Sequence, residues 1–267
     1  MVEPRPGSLD EHRWAANVAS HLREALVART GAAVTWYNHS SVLRSIRADV
    51  DVSRFDHVGI DGFFLRRLTA PGAPRTSADL VLPLLLEQLP RSTRVALIGS
   101  RRESLAAATE VVEATASAPR VVLVCDGYEE LPPAADMATR LQDAGAQLVV
   151  VGLGAPRQDS YLLDLVSAGL TEQVLLTAGG WLDQVGDPAY YPPWAYRHKV
   201  NWLVRVCREP GRLWRRYTVE GLQARRSAEL IRAHLLERGR VPFEAMVRAS
   251  VHAAIEAGAE PVDSVAR

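Results

Sequence analysis

Arg205, Arg208, Arg212 and Arg215 recur every three or four residues within Trp202–Tyr217, WLVRVCREPGRLWRRY. On a helix advancing about 100° per residue they fall within one stripe under about 90° wide. Guanidiniums so close repel one another unless an anion sits among them, and the planar donor fork of arginine suits phosphate. A solvated charged helix face would show the same pattern. The flanking Trp202 and Trp214, with Trp194 upstream, favour a phosphate or membrane-surface site, although for any one Trp packing of the tail on the core is the commoner role. A second candidate is Asp61, which with Gly62 follows the run FDHVGI (Phe55–Ile60). A carboxylate at a strand end can take a proton from a hydroxyl, and does so better when partly shielded from water, so Asp61 is expected to be partly buried. Asp-Gly is also a common turn pair.

The elements that would position these groups are legible from periodicity. Ser8 and Glu11 form an S-x-x-E box ahead of Trp14, Val18, Leu22 and Leu26, which recur every four residues and predict a helix. Ala32–Tyr37 reads as a strand, Ser41–Arg47 as a short helix and Phe55–Ile60 as the next strand. Strands Arg94–Ser100, Arg120–Gly127, Gln147–Gly154 and Gln173–Gly180 then alternate with helices Ala78–Gln88, Glu103–Ala114, Ala134–Ala144 and Gln158–Ala168. Short β-rich runs alternating with helices imply βαβ units: an α/β, Rossmann-like parallel sheet with helices on both faces. Four strands exit into glycine, at Gly99, Gly127, Gly152 with Gly154, and Gly179 with Gly180, on the edge where such sheets bind ligands. Neither G-x-G-x-x-G nor a Walker loop is present, which argues against a nicotinamide-dependent oxidoreductase. Residues 181–199 read as an irregular loop, and Pro210 should break the Arg-rich helix near Glu209. We expect an α/β domain over residues 1–195 and a helical, Arg-rich appendage over 196–267.

Composition narrows the partners. The 267 residues carry no net charge, yet residues 197–226 hold nine Lys or Arg against Glu209 and Glu220, about +7. That asymmetry points to an anionic partner for one segment, not to a nucleic-acid binder. Cys125 and Cys207 suggest neither a metal site nor a disulfide framework, but two buried thiols in a reducing compartment. The N-terminus lacks the apolar core of a signal peptide, and no apolar run approaches the ~18 residues of a membrane span. A cytoplasmic protein touching the membrane from inside is expected. Asp183 and Asp187 read as ordinary loop residues, and no metal or other cofactor is expected. The last 50 or so residues could form a self-associating or partner-binding hairpin, so a homo-oligomer is possible.

Asn38 after the first strand, Asp61-Gly62 after the second, GLGAPRQD (Gly152–Asp159) and the Arg segment stand in that order. Together they resemble the bacterial WecG/TagA/CpsF glycosyltransferase family, over about residues 35–217. GLGAPRQDSYL is similar to the family's G-x-P-K/R-Q-E/D, and NWLVRVCREPGRLWRRY to its E-W-x-x-R-x-x-x-E-P-x-R-x-x-R-R-Y. The resemblance implies inverting transfer of a sugar from a UDP-sugar, typically UDP-N-acetylmannosamine or its uronic acid, to a sugar on undecaprenyl diphosphate at the inner membrane face. It implies Asp61 as the base. Thr35, Asn38 and Gln158 would lie about the donor sugar, Arg75 on a phosphate, and Arg205, Arg212 and Arg215 on the lipid diphosphate, while backbone N–H groups at the helix starts after Gly99 or Gly154 could serve the donor's diphosphate. Thr35 stands three residues before Asn38, whereas the family's Thr lies two before its Asn, where this chain has Trp36. A non-catalytic nucleotide-sugar or anionic-lipid binding module would share these motifs.

Overall fold

The computed structural model describes residues 6–69, 75–129, 131–187 and 210–237. Six parallel strands form one sheet in the order β2-β1-β6-β5-β3-β4. They are β1 (Ala32–Tyr37), β2 (His57–Ile60), β3 (Arg94–Gly99), β4 (Arg120–Cys125), β5 (Leu148–Gly152) and β6 (Val174–Thr177). The central strands read as uninterrupted apolar runs because both their faces are covered. LVVVG of β5 is buried at every position, as sequence periodicity implied.

Helices α1 (Pro6–Ala28), α4 (Ala78–Gln88), α5 (Arg102–Glu113) and α8 (Gly179–Gln184) cover one face, packing on Val34, Trp36, Leu97, Val150 and Leu176. Helices α2 (His39–Arg47), α6 (Ala134–Asp143) and α7 (Arg157–Ser167) cover the other, on Tyr37, Ile60, Ile98 and Val151, with Leu65 of α3 (Phe63–Thr69). Side chains such as Leu97 and Ile98 are wholly enclosed, and each such burial contributes roughly 1.5–3 kcal/mol. The C-terminal helices α9 (Pro210–Arg215), α10 (Gly221–Arg226) and α11 (Ala228–Glu237), with a π-helical turn at Arg216–Glu220, join the second core through Ala224, Ile231 and Leu235.

Several expectations need correction. Helix α1 opens at Pro6, so Ser8 lies inside it and not at its cap; the Glu11 carboxylate instead pairs with Arg66 of α3 at 3.1 Å. The stretch expected to be irregular from residue 181 begins as α8, which carries Asp183 on a helix. Pro210 opens α9; the Arg-rich stretch before it, with the break expected near Glu209, lies outside the described residues. At a helix start its missing N–H is lost to no partner. The expected division at residues 195 and 196 lies outside the described residues.

Two local features shape the sheet. Gly99, at φ +109, ends β3 so close to β5 that a Cβ there would collide with the Gly152 carbonyl. At the opposite end of β3, the β3–β4 register shifts between Val95 and Ala96, and the Val121 N–H of edge strand β4 donates to the Glu113 carboxylate at 3.0 Å.

Candidate active site

All six strands are parallel, so their carboxyl ends share one edge, where Asp61 follows β2, Asn38 follows β1 and Gly154 and Gln158 follow β5. Asp61 and the Gly154 loop are separated by β1 and β6. At three strand spacings that is roughly 14 Å.

Asp61 is fixed from both sides. Its N–H continues the ladder to the Tyr37 carbonyl at 2.7 Å, and Gly62 turns the chain at φ +99 into α3. Its Oδ1 accepts from Arg75 Nη2 at 3.1 Å and Nε at 3.3 Å. Arg75 Nη2 also donates to both oxygens of Asp79 at 3.0 Å, and Ser77 Oγ donates to that same carboxylate. The Thr76 N–H to the Ile60 carbonyl, 3.2 Å, brings this segment against β2. The Asp61 side chain is 31% exposed, half-buried as its proposed task requires. Burial raises the Asp79 pKa, but Arg75 and Ser77 outweigh it and hold the carboxyl below its ordinary value. Arg75, expected on a phosphate, is thus engaged by two carboxylates.

Asn38 is the N-cap of α2: its Oδ1 accepts from the Ser40 and Ser41 N–H groups at 3.0 and 3.1 Å, and Ser41 Oγ accepts from the Asn38 N–H at 2.8 Å. The cap uses the oxygen, so the amide NH2 is the end suited to a sugar oxygen. Asn38 lies beside Gly62, on the strand next to Asp61. Gln158 clamps its own loop, its Oε1 accepting from the Gly154 N–H at 3.1 Å, with Gly179 packed against it. Gly154, at φ +75, has open space where a side chain would project.

Thr35, expected near the sugar, is fully buried. Its hydroxyl donates to Asp159 Oδ1 at 2.6 Å and lies 2.9 Å from the Thr177 hydroxyl, which must therefore donate to it. Any part Thr35 takes in the site runs through Asp159, a residue sequence reasoning passed over. Its signal was present: Asp159 shares the buried face of α7 with Leu162, Leu163 and Leu165, an odd place for a carboxylate. Its Oδ2 is buried without a hydrogen bond. Burial pushes its pKa up to about 6, against the pull of the Thr35 hydroxyl.

This shift carries a signed prediction. An acid whose folded pKa is raised stabilises the fold fully below its ordinary value, and that contribution is lost as pH rises through about 6. Wild type should therefore lose about 2–3 kcal/mol relative to Asp159→Asn between about pH 4 and pH 7. His57 works the other way: burial lowers its pKa to about 4, so its contribution is present above about pH 6.5 and lost as pH falls through about 4. The two partly cancel in wild type, and urea denaturation of Asp159→Asn across this range removes the Asp159 part of the slope.

Beside Asp61 sits the C-terminal appendage. His39 Nε2 meets the Arg216 carbonyl at 3.0 Å, and the His39 ring stacks edge-on with Phe64 at 5.2 Å. Burial lowers the His39 pKa, and the ring also feels the charges of Arg216, Glu220 and Asp61. Arg44 to Glu220 at 3.1 Å and Arg47 to Gln223 at 2.9 Å add to the docking. Arg215 is exposed at the end of α9; Arg212 lies on α9, its side chain outside the described residues, as is the whole of Arg205. Among the described residues no three His, Cys, Asp or Glu side chains converge as metal ligands, and no helix is long and apolar enough to cross a membrane. Cys125 is buried, as expected; Cys207 lies outside the described residues. A cavity of about 550 Å³ lies at the opposite edge, among Trp14, His21, Gly31, Asp56 and His57, and includes none of the candidate site residues Thr35, Asn38, Asp61, Arg75, Gly154 and Gln158.

A parallel α/β sheet with a carboxylate, amides and a docked cationic arm along its carboxyl edge defines a Rossmann-like protein of the ligand-binding kind. The chain belongs to the WecG/TagA/CpsF family of glycosyl transferases, whose family model matches residues 9–235. It is similar to the UDP-Gal:alpha-D-GlcNAc-diphosphoundecaprenol beta-1,4-galactosyltransferase of Shigella boydii, at 25% identity over 190 residues, 67% of this chain and 78% of that one.

Proposed function

We propose that this glycosyltransferase moves a sugar from a UDP-sugar to a sugar carried on a polyprenyl diphosphate, at the inner face of the cell membrane, in cell-surface polysaccharide synthesis. The observation that carries the reading is the placement of Asp61. It is half-buried, pinned by Arg75, flanked by Asn38, and on the same sheet edge as the Gln158 loop and the docked appendage. Asp61 accepts the proton of the acceptor hydroxyl. The freed oxygen attacks the anomeric carbon from the face opposite the diphosphate. The carbon–oxygen bond to phosphate breaks, its electron pair leaves with UDP, and the configuration inverts.

Arg205, Arg212 and Arg215 bind the acceptor's diphosphate in this reading. Support comes from the described helices that follow: Trp214 is 69% exposed, and Leu222 and Leu230 are exposed, as are Arg215, Arg225 and Arg226. Exposed apolar side chains amid guanidiniums suit an anionic lipid surface. Arg212→Ala should weaken sedimentation with anionic-lipid vesicles, most of all at low salt. Equal sedimentation at every salt concentration would assign the arm a structural role only.

The Shigella boydii relative is named for UDP-galactose and a GlcNAc-diphosphoundecaprenol acceptor, whereas the sequence motifs led to an N-acetylmannosamine-like donor. Product formation on a short-chain lipid-diphosphate GlcNAc acceptor, with UDP-galactose and UDP-N-acetylmannosamine in parallel, tests the reading and selects the donor. A non-catalytic binding module would retain the nucleotide sugar and yield no product.

A further inference from the structure

β2 is the outermost strand on its side of the sheet. There one face of α1 stands over the amino ends of β1 and β2 and walls the cavity of about 550 Å³. Small-molecule sites occupy roughly 300–1,000 Å³. Trp14, Val18, Leu22 and Ala25 line it from α1 at helical spacing, and Ala32 and His57 line it from the sheet.

Its polar groups are unanswered by the protein. His57 Nε2 is enclosed and makes no hydrogen bond. Burial, helped by the neighbouring His21, holds the ring's pKa at about 4, so near neutral pH the ring is uncharged and one of its nitrogens is an acceptor. An enclosed ring nitrogen with no protein partner is a group for a bound molecule to complete. The charge around it has one sign. Glu24 and Asp56 line the cavity, and among the described residues no Lys or Arg does so. Asp56 is held in place from β1: its Oδ2 accepts from the Ala33 N–H at 2.8 Å, and its own N–H donates to the Ala33 carbonyl at 2.9 Å. Carboxylates beside an indole and an aliphatic wall, with no cation among them, select a positive ligand with a hydrocarbon body. An anion would meet two like charges.

We propose that this cavity binds an organic cation with an apolar body, of the arylalkylammonium class: Glu24 and Asp56 face the ammonium, and Trp14, Val18 and Leu22 the hydrocarbon. The site is separate from the transfer chemistry. His57 opens β2 and Asp61 follows its other end, which puts roughly 13 Å between them along the strand. The cation is therefore held alongside the substrates and not in their place, whichever sugar is transferred.

The test is calorimetric titration of the full-length protein with 2-phenylethylamine, with 2-phenylethanol as its neutral counterpart and 3-phenylpropanoate as an anion. The amine should bind at least about fivefold more tightly than the alcohol, the value of one partly exposed charge contact, and the carboxylate should not bind. Asp56→Asn keeps an oxygen to accept from Ala33. It should weaken the amine about fivefold and leave the alcohol unchanged, with the melting temperature retained, whereas Asp61→Asn should change neither. Val18→Trp, which fills the cavity, should abolish binding of both. Equal binding of all three probes, an amine affinity unchanged in both Asp56→Asn and Glu24→Gln, or no saturable binding of the amine overturns the site and leaves the transferase reading standing.

Discussion

Asp61→Asn is expected to reduce turnover at least ~10²-fold, the usual consequence of losing a general base, while the affinity for UDP stays near that of wild type. The substitution isolates the proton-accepting role. Asparagine has the same shape, and its oxygen can still accept from Arg75, so the segment that Arg75 ties to β2 keeps its place. What disappears is the capacity to take a proton from the acceptor hydroxyl. The loss should therefore fall on kcat with KM for either substrate little changed. Asp61→Glu, which keeps the carboxylate and displaces it by one methylene, should recover part of the rate. Full activity in Asp61→Asn would refute the base assignment, because the amide cannot do this work at any pH.

Arg75→Ala is expected to cost a comparable factor in rate, about 10²-fold, and to destabilise the fold by about 1–3 kcal/mol. One guanidinium serves two carboxylates here, Asp61 at 3.1 Å and Asp79 at 3.0 Å. Its removal leaves Asp79 with the Ser77 hydroxyl and its own backbone N–H to compensate it and lets the Asp61 side chain rotate. Both side chains retain about a third of their surface, which keeps the stability cost below that of a wholly enclosed pair. Arg75→Lys separates the two effects. A single ammonium can neutralise the cluster but cannot bridge it with a planar fork, so stability should recover further than turnover. Urea denaturation and steady-state kinetics on the two variants read the two quantities independently. Equal recovery of both would make Arg75 a charge partner and nothing more.

Much of the scaffold was legible because both faces of a parallel sheet must be apolar. β1 at Ala32–Tyr37 and α4 at Ala78–Gln88 match their expected bounds residue for residue. Expected strand ends ran one to three residues long where glycine-rich loops follow, since Gly and small apolar residues extend the pattern without extending the ladder. α3 escaped notice because FFLRRLT is seven residues without a capping signal, and it forms where Gly62 turns the chain and Leu65 meets the core. Strand order was beyond reach, since it depends on which helix faces fit together across the whole domain. At the site, the Asp61 and Gln158 loops were legible as strand exits, but Asp79 and Asp159 were not. Their importance arises from partners distant in the chain or fixed by the local turn: Thr35 stands 124 residues from Asp159, and Ser77 and Arg75 reach Asp79 only once β2 has positioned them.

The outer margin of β4 has a consequence for assembly. Its Val121 amide is already occupied by Glu113, and the neighbouring register slip interrupts the regular spacing that an incoming chain would have to match. Lateral growth of the sheet by addition of another strand is thereby obstructed at that border. Two copies that meet at that border in solution would therefore do so through side chains and not by joining their sheets.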